Sequence, residues 1–372
     1  MPAVSPQHST IDGGFGWWVV AGAFSANLVT FGILFSFGVF LTPIAETFGT
    51  TTGPVASIFS GSVCVYYLAG VAGGRLGDRY GARPVVAVGA ITLGLGLAAA
   101  SVSSALWMVW VMYVPLVGVG VGACYSPMLG AVSRWFDRRR SLALSLVLAG
   151  VASGTLLGPM LLRLAIDDIG WRVTFRWLAL LAVTVLGLAA LLCRPAPGEA
   201  DRPAPLSIRD ISRSRELRRL YLSIIVISPG FYAPLVFFND YAINRGIGAG
   251  RAAALVGISG AFSIVVRLIA GSFGDRFDAL GRYRFSYGLM TGALLVWLLS
   301  GGSYLGLVAS ALFHGAGWAV WVTATPTVLA GWFGVSQLGG LLGLLYTGLG
   351  IGALAGPAVS GFIIDSAGYR PA

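Results

Sequence analysis

Two stretches of this chain limit what it can fold into more than any others. They read "GWWVVAGAFSANLVTFGILFSFGVFL" (16–41) and "RPVVAVGAITLGLGLAAASVSSALWMVWVMYV" (83–114). The first carries no charge and the second only Arg83. Each exceeds the roughly 20 residues that a helix needs to cross a bilayer. The rest of the chain is alike: 56% of its 372 residues are apolar and 10% are charged, against about 25% charged in a soluble domain. Only a bilayer accommodates so much apolar surface. The first run is too long for the core of a secretory signal and no basic segment precedes it, so it reads as a retained helix. An all-α polytopic membrane protein is expected. Eleven helices are predicted, at about 15–41, 52–74, 84–103, 105–133, 141–165, 173–193, 217–239, 252–273, 285–301, 304–330 and 336–363. The 54 glycines suit membrane helices that pack closely without a hydrophobic force between them.

The net charge is +10 and every basic residue is Arg. No basic stripe is interleaved with surface aromatics, which argues against nucleic acid as a partner. The Arg residues fall in alternate loops: Arg75, Arg79 and Arg83; Arg134 and Arg138–Arg140; seven from Arg194 to Arg219; and Arg276, Arg282 and Arg284, or 17 of 24. The positive-inside rule then places the N-terminus in the cytoplasm of a cell-membrane protein. Cys64, Cys124 and Cys193 all lie in or beside helices and suggest no disulfide framework.

The chain is written twice. "GPMLLRLAIDDIGWR" (158–172) and "GPAVSGFIIDSAGYR" (356–370) share Gly-Pro, Asp, Gly, aromatic and Arg at an offset of 198. "GRLGDR" (74–79) and "GSFGDR" (271–276) lie 197 apart, as do "RWFD" (134–137) and "GWFG" (331–334). Three matches in one order describe a parallel duplication of a six-helix unit. The predicted division is a first half at 1–193, a Pro-rich charged cytoplasmic linker at 194–216 and a second half at 217–372. In the first half "GWR" precedes helix six. In the second "GYR" precedes only Pro371 and Ala372. A twelfth helix belongs there, and the 372 residues are read as a shortened form of a twelve-helix protein. The coding sequence beyond Ala372 tests this.

Two six-helix halves joined by such a linker resemble the major facilitator superfamily. "GRLGDRYGARP" (74–84) is similar to that superfamily's motif between helices 2 and 3. There Gly74 and Gly77 would let helices approach, while Asp78, Arg79 and Arg83, with Asp275 and Arg276 in the repeat, would close the cytoplasmic side. Within the superfamily, "DGGFGWWVV" (12–20), "SRWFDRRRSLALSLVLAG" (133–150) and "PGFYAPLVFFNDYAINRG" (229–246) resemble segments of the monocarboxylate transporters. The oxalate–formate exchangers are close relatives of that group. The resemblance implies a secondary-active or facilitative carrier, a symporter or antiporter working by alternating access, with helices 1, 4, 8 and 11 supplying the pocket. Its cargo would be a small carboxylate such as lactate or pyruvate, with a proton as a further partner.

Arg267 carries the most information. "AFSIVVRLIAG" puts it about eight residues, or roughly 12 Å of helix, from Asp275. A charge that deep in a membrane helix is costly and marks function by default. The equivalent first-half position is Gly70, so this Arg is not part of the repeated frame. Its planar fork suits a carboxylate, and the resemblance implies the same, since monocarboxylate transporters hold the anion on a helix 8 Arg. Tyr125, Tyr346 and Asn27, with Thr30 on the face of Asn27, lie at similar depth and join Arg267 and Ser263 as substrate-binding candidates. His314 is the one intramembrane histidine and a candidate proton relay. Trp318 and Trp321 read as packing or lipid-facing.

Two departures from the family stand out. Proton-coupled animal members have an acidic residue four positions before the helix 8 Arg, where this chain has Ser263. They also have a Lys on helix 1, where counting from Asp12 reaches Phe35, and this chain has no Lys. Asp240 is the nearest remaining acid and reads as an interface charge. The cargo would then move by exchange, by uniport or with its own proton. No phosphate loop, metal-ligand spacing or nucleophile–base arrangement points to an enzyme. "GVGVGA" (118–123) lies inside an apolar run with no strand before it. No cofactor or metal is expected, and a monomer should suffice among membrane lipids. The alternatives are a carrier for a dicarboxylate, drug or sugar, and a non-transporting membrane sensor.

Overall fold

The computed structural model describes residues 12, 14–196, 214–274 and 276–367. Among these there are helices and no strands. In a bilayer the backbone must satisfy its own polar groups, and a helix does so within one segment. In chain order the helices are α1 (Gly16–Phe35), a short 3-10 turn (Phe37–Phe40), α2 (Leu41–Phe48), α3 (Thr52–Tyr80), α4 (Ala82–Ser101), α5 (Leu106–Trp135), α6 (Arg140–Leu192), α7 (Arg215–Asn244), α8 (Ala249–Gly274), α9 (Ala279–Leu299), α10 (Tyr304–Phe333) and α11 (Leu338–Ala367). Among the described residues, seven are long and apolar enough to cross a membrane by length and composition. The 53-residue α6 has room for two crossings, because its trace turns at Gly170.

The predicted helices all appear, with boundaries moved for identifiable reasons. Helix 1 was expected to run to residue 41, but α1 stops at Phe35 and the chain continues through the 3-10 turn into α2. Gaps were expected at 75–83 and 166–172. Instead one glycine turns the chain in each place: Gly81 at φ 84° and Gly170 at φ 76°, a region that costs a side chain energy and glycine none. The "GWR" motif works beside Gly170. Arg172 Nη1 donates to the Ser101 and Ser103 carbonyls at 3.0 and 2.7 Å, a cation on the last carbonyl of α4 and on the turn that follows it. Trp171 Nε1 donates to Thr47 Oγ1 at 2.9 Å. Its repeat, at 368–370, lies outside the described residues.

The chain divides into two compact units. One comprises residues up to Leu206 together with Leu329–Leu344; the other comprises Ser207–Val328 and residues from Leu345 onward. In the first unit α1 packs on α6, α3 on α5, and α4 on both α5 and α6. Small residues make this possible. A Cβ on Gly77 would stand 2.7 Å from Pro127 Cβ, and one on Gly73 would stand 2.9 Å from the Gly122 carbonyl oxygen. In the second unit α7 packs on α8 and α9. An apolar cluster around Phe238, Leu255, Leu307 and Ala311 joins α7, α8 and α10.

Candidate substrate site

In the second unit Arg267 is 3% exposed, inside the apolar span of α8. Ser259, Ser263 and Arg267 are spaced by four and share one face of the helix. Arg267 Nη2 donates to Ser263 Oγ at 3.4 Å. Ser263 is the residue that stands where an acid was sought. Its hydroxyl orients the guanidinium and contributes no negative charge.

Ser259 and His314 Nδ1 are 2.9 Å apart, and His314 Nε2 is 3.0 Å from the carbonyl oxygen of Phe231. A carbonyl only accepts, so Nε2 carries the proton. When the ring is neutral, Ser259 donates to Nδ1. Both nitrogens are thus engaged by neutral partners, in a segment of α7 loosened by Pro229 and Pro234. His314 holds α7, α8 and α10 together. The Phe231 ring is stacked between His314 (centroids 5.2 Å, 10°) and Trp318 (3.7 Å, 18°). Trp318 stacks on Trp321 at 5.1 Å, and Trp321 meets Tyr346 of α11 at 6.2 Å. Trp321 is 1% exposed, so it belongs to this aromatic column and not to a lipid-facing surface.

Sequence reasoning missed Ser259, Phe231 and a second neutral network. In that network Tyr283 and Tyr287 bond each other at 2.8 Å, and each lies 3.0 Å from Ser223 Oγ. The i, i+4 spacings of Ser259 with Ser263 and of Tyr283 with Tyr287 were the available signals. They are weak without a partner helix to show which face is buried.

In the first unit Asn27 and Thr30 are fully buried on α1. Thr30 turns its hydroxyl to its own helix, donating to the Ala26 carbonyl at 2.8 Å. Phe31, one turn after Asn27, meets Tyr125 of α5 and Tyr66 of α3 edge-on at 5.1 and 5.7 Å.

The same unit holds the charged motif. Asp78 Oδ1 accepts from Arg134 Nη1 at 3.3 Å, with both side chains at most 5% exposed. Its two oxygens also accept from the backbone N–H of Gly339 (3.2 Å) and Gly340 (2.7 Å). These are N–H groups of the first turn of α11, so the carboxylate sits on the positive end of a helix. The cation that meets Asp78 is Arg134. Arg79 and Arg83 are exposed, with Arg79 over the Tyr80 ring at 5.1 Å. Arg276 is exposed, and Asp275 and the side chain of Asp240 lie outside the described residues.

The geometry therefore joins Arg267 to Ser263, His314 to their helix through Ser259, Tyr346 to the aromatic column, and Tyr125 to the turn after Asn27. A buried guanidinium fixed by a neutral hydroxyl can receive an anion. Comparison with known proteins agrees on the class. The major facilitator superfamily profile matches residues 23–324. Monocarboxylate transporter 11 of Homo sapiens is 32% identical over 98% of this chain and 81% of its own length. Monocarboxylate transporter 13 of Bos taurus is 29% identical over 96% and 84%. The crystal structure of the human organic anion transporter MFSD10 superposes with a TM-score of 0.77 at 17% identity, covering 95% of each chain. The relatives are transporters and not enzymes. This chain belongs to the major facilitator superfamily, as a monocarboxylate transporter-like member of it.

Proposed function

We propose that this transporter carries a small carboxylate, of the size of lactate or pyruvate, across the cell membrane by alternating access, with the anion held on Arg267. The observation that carries the reading is a guanidinium 3% exposed within an apolar helix, tethered by a neutral Ser263 hydroxyl. Burying that charge is costly, and a bound anion offsets the cost. Support comes from relatives whose names are those of monocarboxylate transporters. Ser263 orients the fork, Tyr346 is the second substrate-binding candidate of this unit, and Tyr125 and Asn27 are the candidates of the first unit. Asp78, held on the first turn of α11, acts as a latch on the cytoplasmic side, and the motif residues Arg79 and Arg83, with Asp275 and Arg276 of the repeated motif, serve the same gating role. The N-terminus is cytoplasmic, the monomer is the working form, and any proton moved travels with the cargo.

Thermal shift on the detergent-purified protein tests this, with wild type beside Arg267→Ala and a panel of lactate, pyruvate, acetate, oxalate, succinate, glucose and a cationic dye. A ligand at 100 times its Kd stabilises by about 2.7 kcal/mol. At least one carboxylate is expected to raise the Tm of wild type and not of the variant. Glucose or the dye acting equally on both, with no carboxylate acting, would refute the reading. A bound anion adds a negative charge beside Arg267, so the loaded carrier is expected to reorient at lower cost than the empty one. Exchange in proteoliposomes is therefore expected to outrun net flux, and equal rates would count against this.

A further inference from the structure

The last two turns of α3 present four columns of side chains, two packed and two exposed. Residues four apart share a helix face. Gly73 and Gly77 pack on α5, at the Gly122 carbonyl and Pro127. Gly74 is pressed against the Gly339 carbonyl at the start of α11, and Asp78 bonds that same turn. Arg75 and Arg79 make the third column, and Leu76 and Tyr80 the fourth, all of them exposed. Leu76 is 45% and Tyr80 59% exposed. Apolar side chains this open at the end of a membrane helix face lipid, and Tyr is at home at the level of the headgroups. The chain turns at Gly81, and Arg83, two residues on, is exposed as well.

Three guanidiniums therefore stand around one turn without a carboxylate. Among the described residues none of Arg75, Arg79 and Arg83 has an ion-pair partner. Arg79 lies over the Tyr80 ring at 5.1 Å. The described acids at this end are engaged elsewhere. Asp12 accepts from the N–H groups of Asp137, Arg138 and Arg139, Asp78 pairs with Arg134, and Asp137 pairs with Arg140. Positive charge at the rim of an apolar surface fits an anion that carries apolar chains of its own. Arg stems lie along apolar surface while their heads reach outward, and the planar fork matches a phosphate. We propose that the α3–α4 turn binds an anionic phospholipid, with its phosphate held by Arg75, Arg79 and Arg83 and its acyl chains along Leu76 and Tyr80. A soluble phosphate or an acidic protein segment would use the arginines and leave the Leu76–Tyr80 column bare. The site lies in the first unit alone and does not depend on the carboxylate reading of Arg267.

Native mass spectrometry of the detergent-purified full chain tests this, with phosphatidylglycerol and phosphatidylcholine of the same acyl chains offered in equal amounts. Wild type is expected to retain phosphatidylglycerol in preference. Each arginine should contribute about fivefold to that preference, the worth of one basic residue near an anionic surface. The triple variant Arg75→Gln/Arg79→Gln/Arg83→Gln should lose that contribution, and the triple variant with Lys at the same positions should keep most of it. Arg176→Gln is the control. Arg176 is exposed too, but it meets Ser101 at the opposite end of α4, and its loss should leave the preference unchanged. Arg75→Gln alone, on the outer face of α3, gives the single fivefold step if the triple variant does not fold. Equal retention of the two lipids by wild type, a preference that the glutamine variants keep in full, or an equal loss in Arg176→Gln would each overturn the proposal. So would displacement of phosphatidylglycerol by inorganic phosphate, which marks a soluble-anion site, or by a polyglutamate peptide, which marks a protein partner.

Discussion

Gly70 and Arg267 occupy the same place in the repeat, 197 residues apart, and their surroundings have nothing in common. Around Gly70 the first unit is backbone against backbone. A Cβ on Gly122 would stand 2.7 Å from the Gly70 nitrogen, and Gly343 is pressed against the Gly70 carbonyl. Around Arg267 the second unit is hydroxyls, an imidazole and stacked rings. The duplication supplied a frame of helices. One copy uses the position for close packing and the other for a buried charge. The proposed substrate site lies where the copies differ.

The strongest way to break this comparison is to exchange the residues. Gly70→Ala should fold, because the only atom near that Cβ is Ser126 Oγ at 3.6 Å. Gly70→Arg should yield no monodisperse protein on size exclusion, since it would bury a new charge inside a membrane helix. Arg267→Gly should fold and melt within a few degrees of wild type, because the helix-interior glycine costs about 1 kcal/mol while a buried charge is removed. It should lose the whole carboxylate shift of about 2.7 kcal/mol. A well-behaved Gly70→Arg, or an Arg267→Gly that still responds to carboxylate, would dissolve the contrast.

The buried charge of Asp78 in the first unit is paired. Asp78→Leu leaves Arg134 buried without its carboxylate and should cost about 3–5 kcal/mol in denaturant unfolding. Adding Arg134→Met should restore most of that, because an apolar pair of similar volume is often as stable as the ion pair. If the double variant is no better than Asp78→Leu alone, the loss lies in the two N–H groups of Gly339 and Gly340 that the carboxylate also accepts.

The frame was legible because membrane helices announce themselves by length and composition, and because duplicated motifs reveal their offset. Arg267 was legible for the same reason: one charge in an apolar run is a large signal. The partner of Asp78 was not. Arg79 and Arg83 are adjacent in sequence, whereas Arg134 is 56 residues away and is brought in only by α5 packing on α3. The His314 network was half legible, since the histidine was visible and its partners on α7 and α8 were not. Asn27 was visible as a residue, but that its buried amide has no hydrogen-bond partner among the described residues is a property of neighbours that only the fold assembles.

The second unit's network is neutral, which sharpens the contrast with Asp78. His314→Gln keeps an N–H for the Phe231 carbonyl and should cost about 1 kcal/mol. His314→Phe loses both bonds and should cost about 1–3 kcal/mol. If the ring only positions helices, the transport rate of His314→Gln between pH 6 and 8 follows the wild-type profile. A flattened profile would make His314 a proton relay.

The smallest effect concerns the two copies of the aromatic-pair motif. In "RWFDRRR" (134–140) the loop after α5 is clamped by Asp12, whose carboxylate accepts backbone N–H bonds from Asp137 (2.8 Å), Arg138 (3.0 Å) and Arg139 (3.0 Å). In "GWFGVSQ" (331–337) the turn is made by Gly334 at φ 79°, and Gln337 donates to the Phe333 carbonyl at 2.9 Å. Partial burial pushes the Asp12 carboxyl up, but the three N–H donors and the charge of Arg138 outweigh it and hold it below its usual range. A carboxylate lowered in the folded state contributes stability above its unfolded pKa, near 4, and that contribution disappears as pH falls through the lower folded value. Wild type should therefore keep its Tm from pH 7 to about 5 and lose stability below about 4. Asp12→Asn should start lower by less than about 1 kcal/mol, given the exposure of the site, and lose less over the acid range. Parallel melting curves for the two proteins from pH 7 to 3 would mean that the clamp is geometric and carries no linked proton.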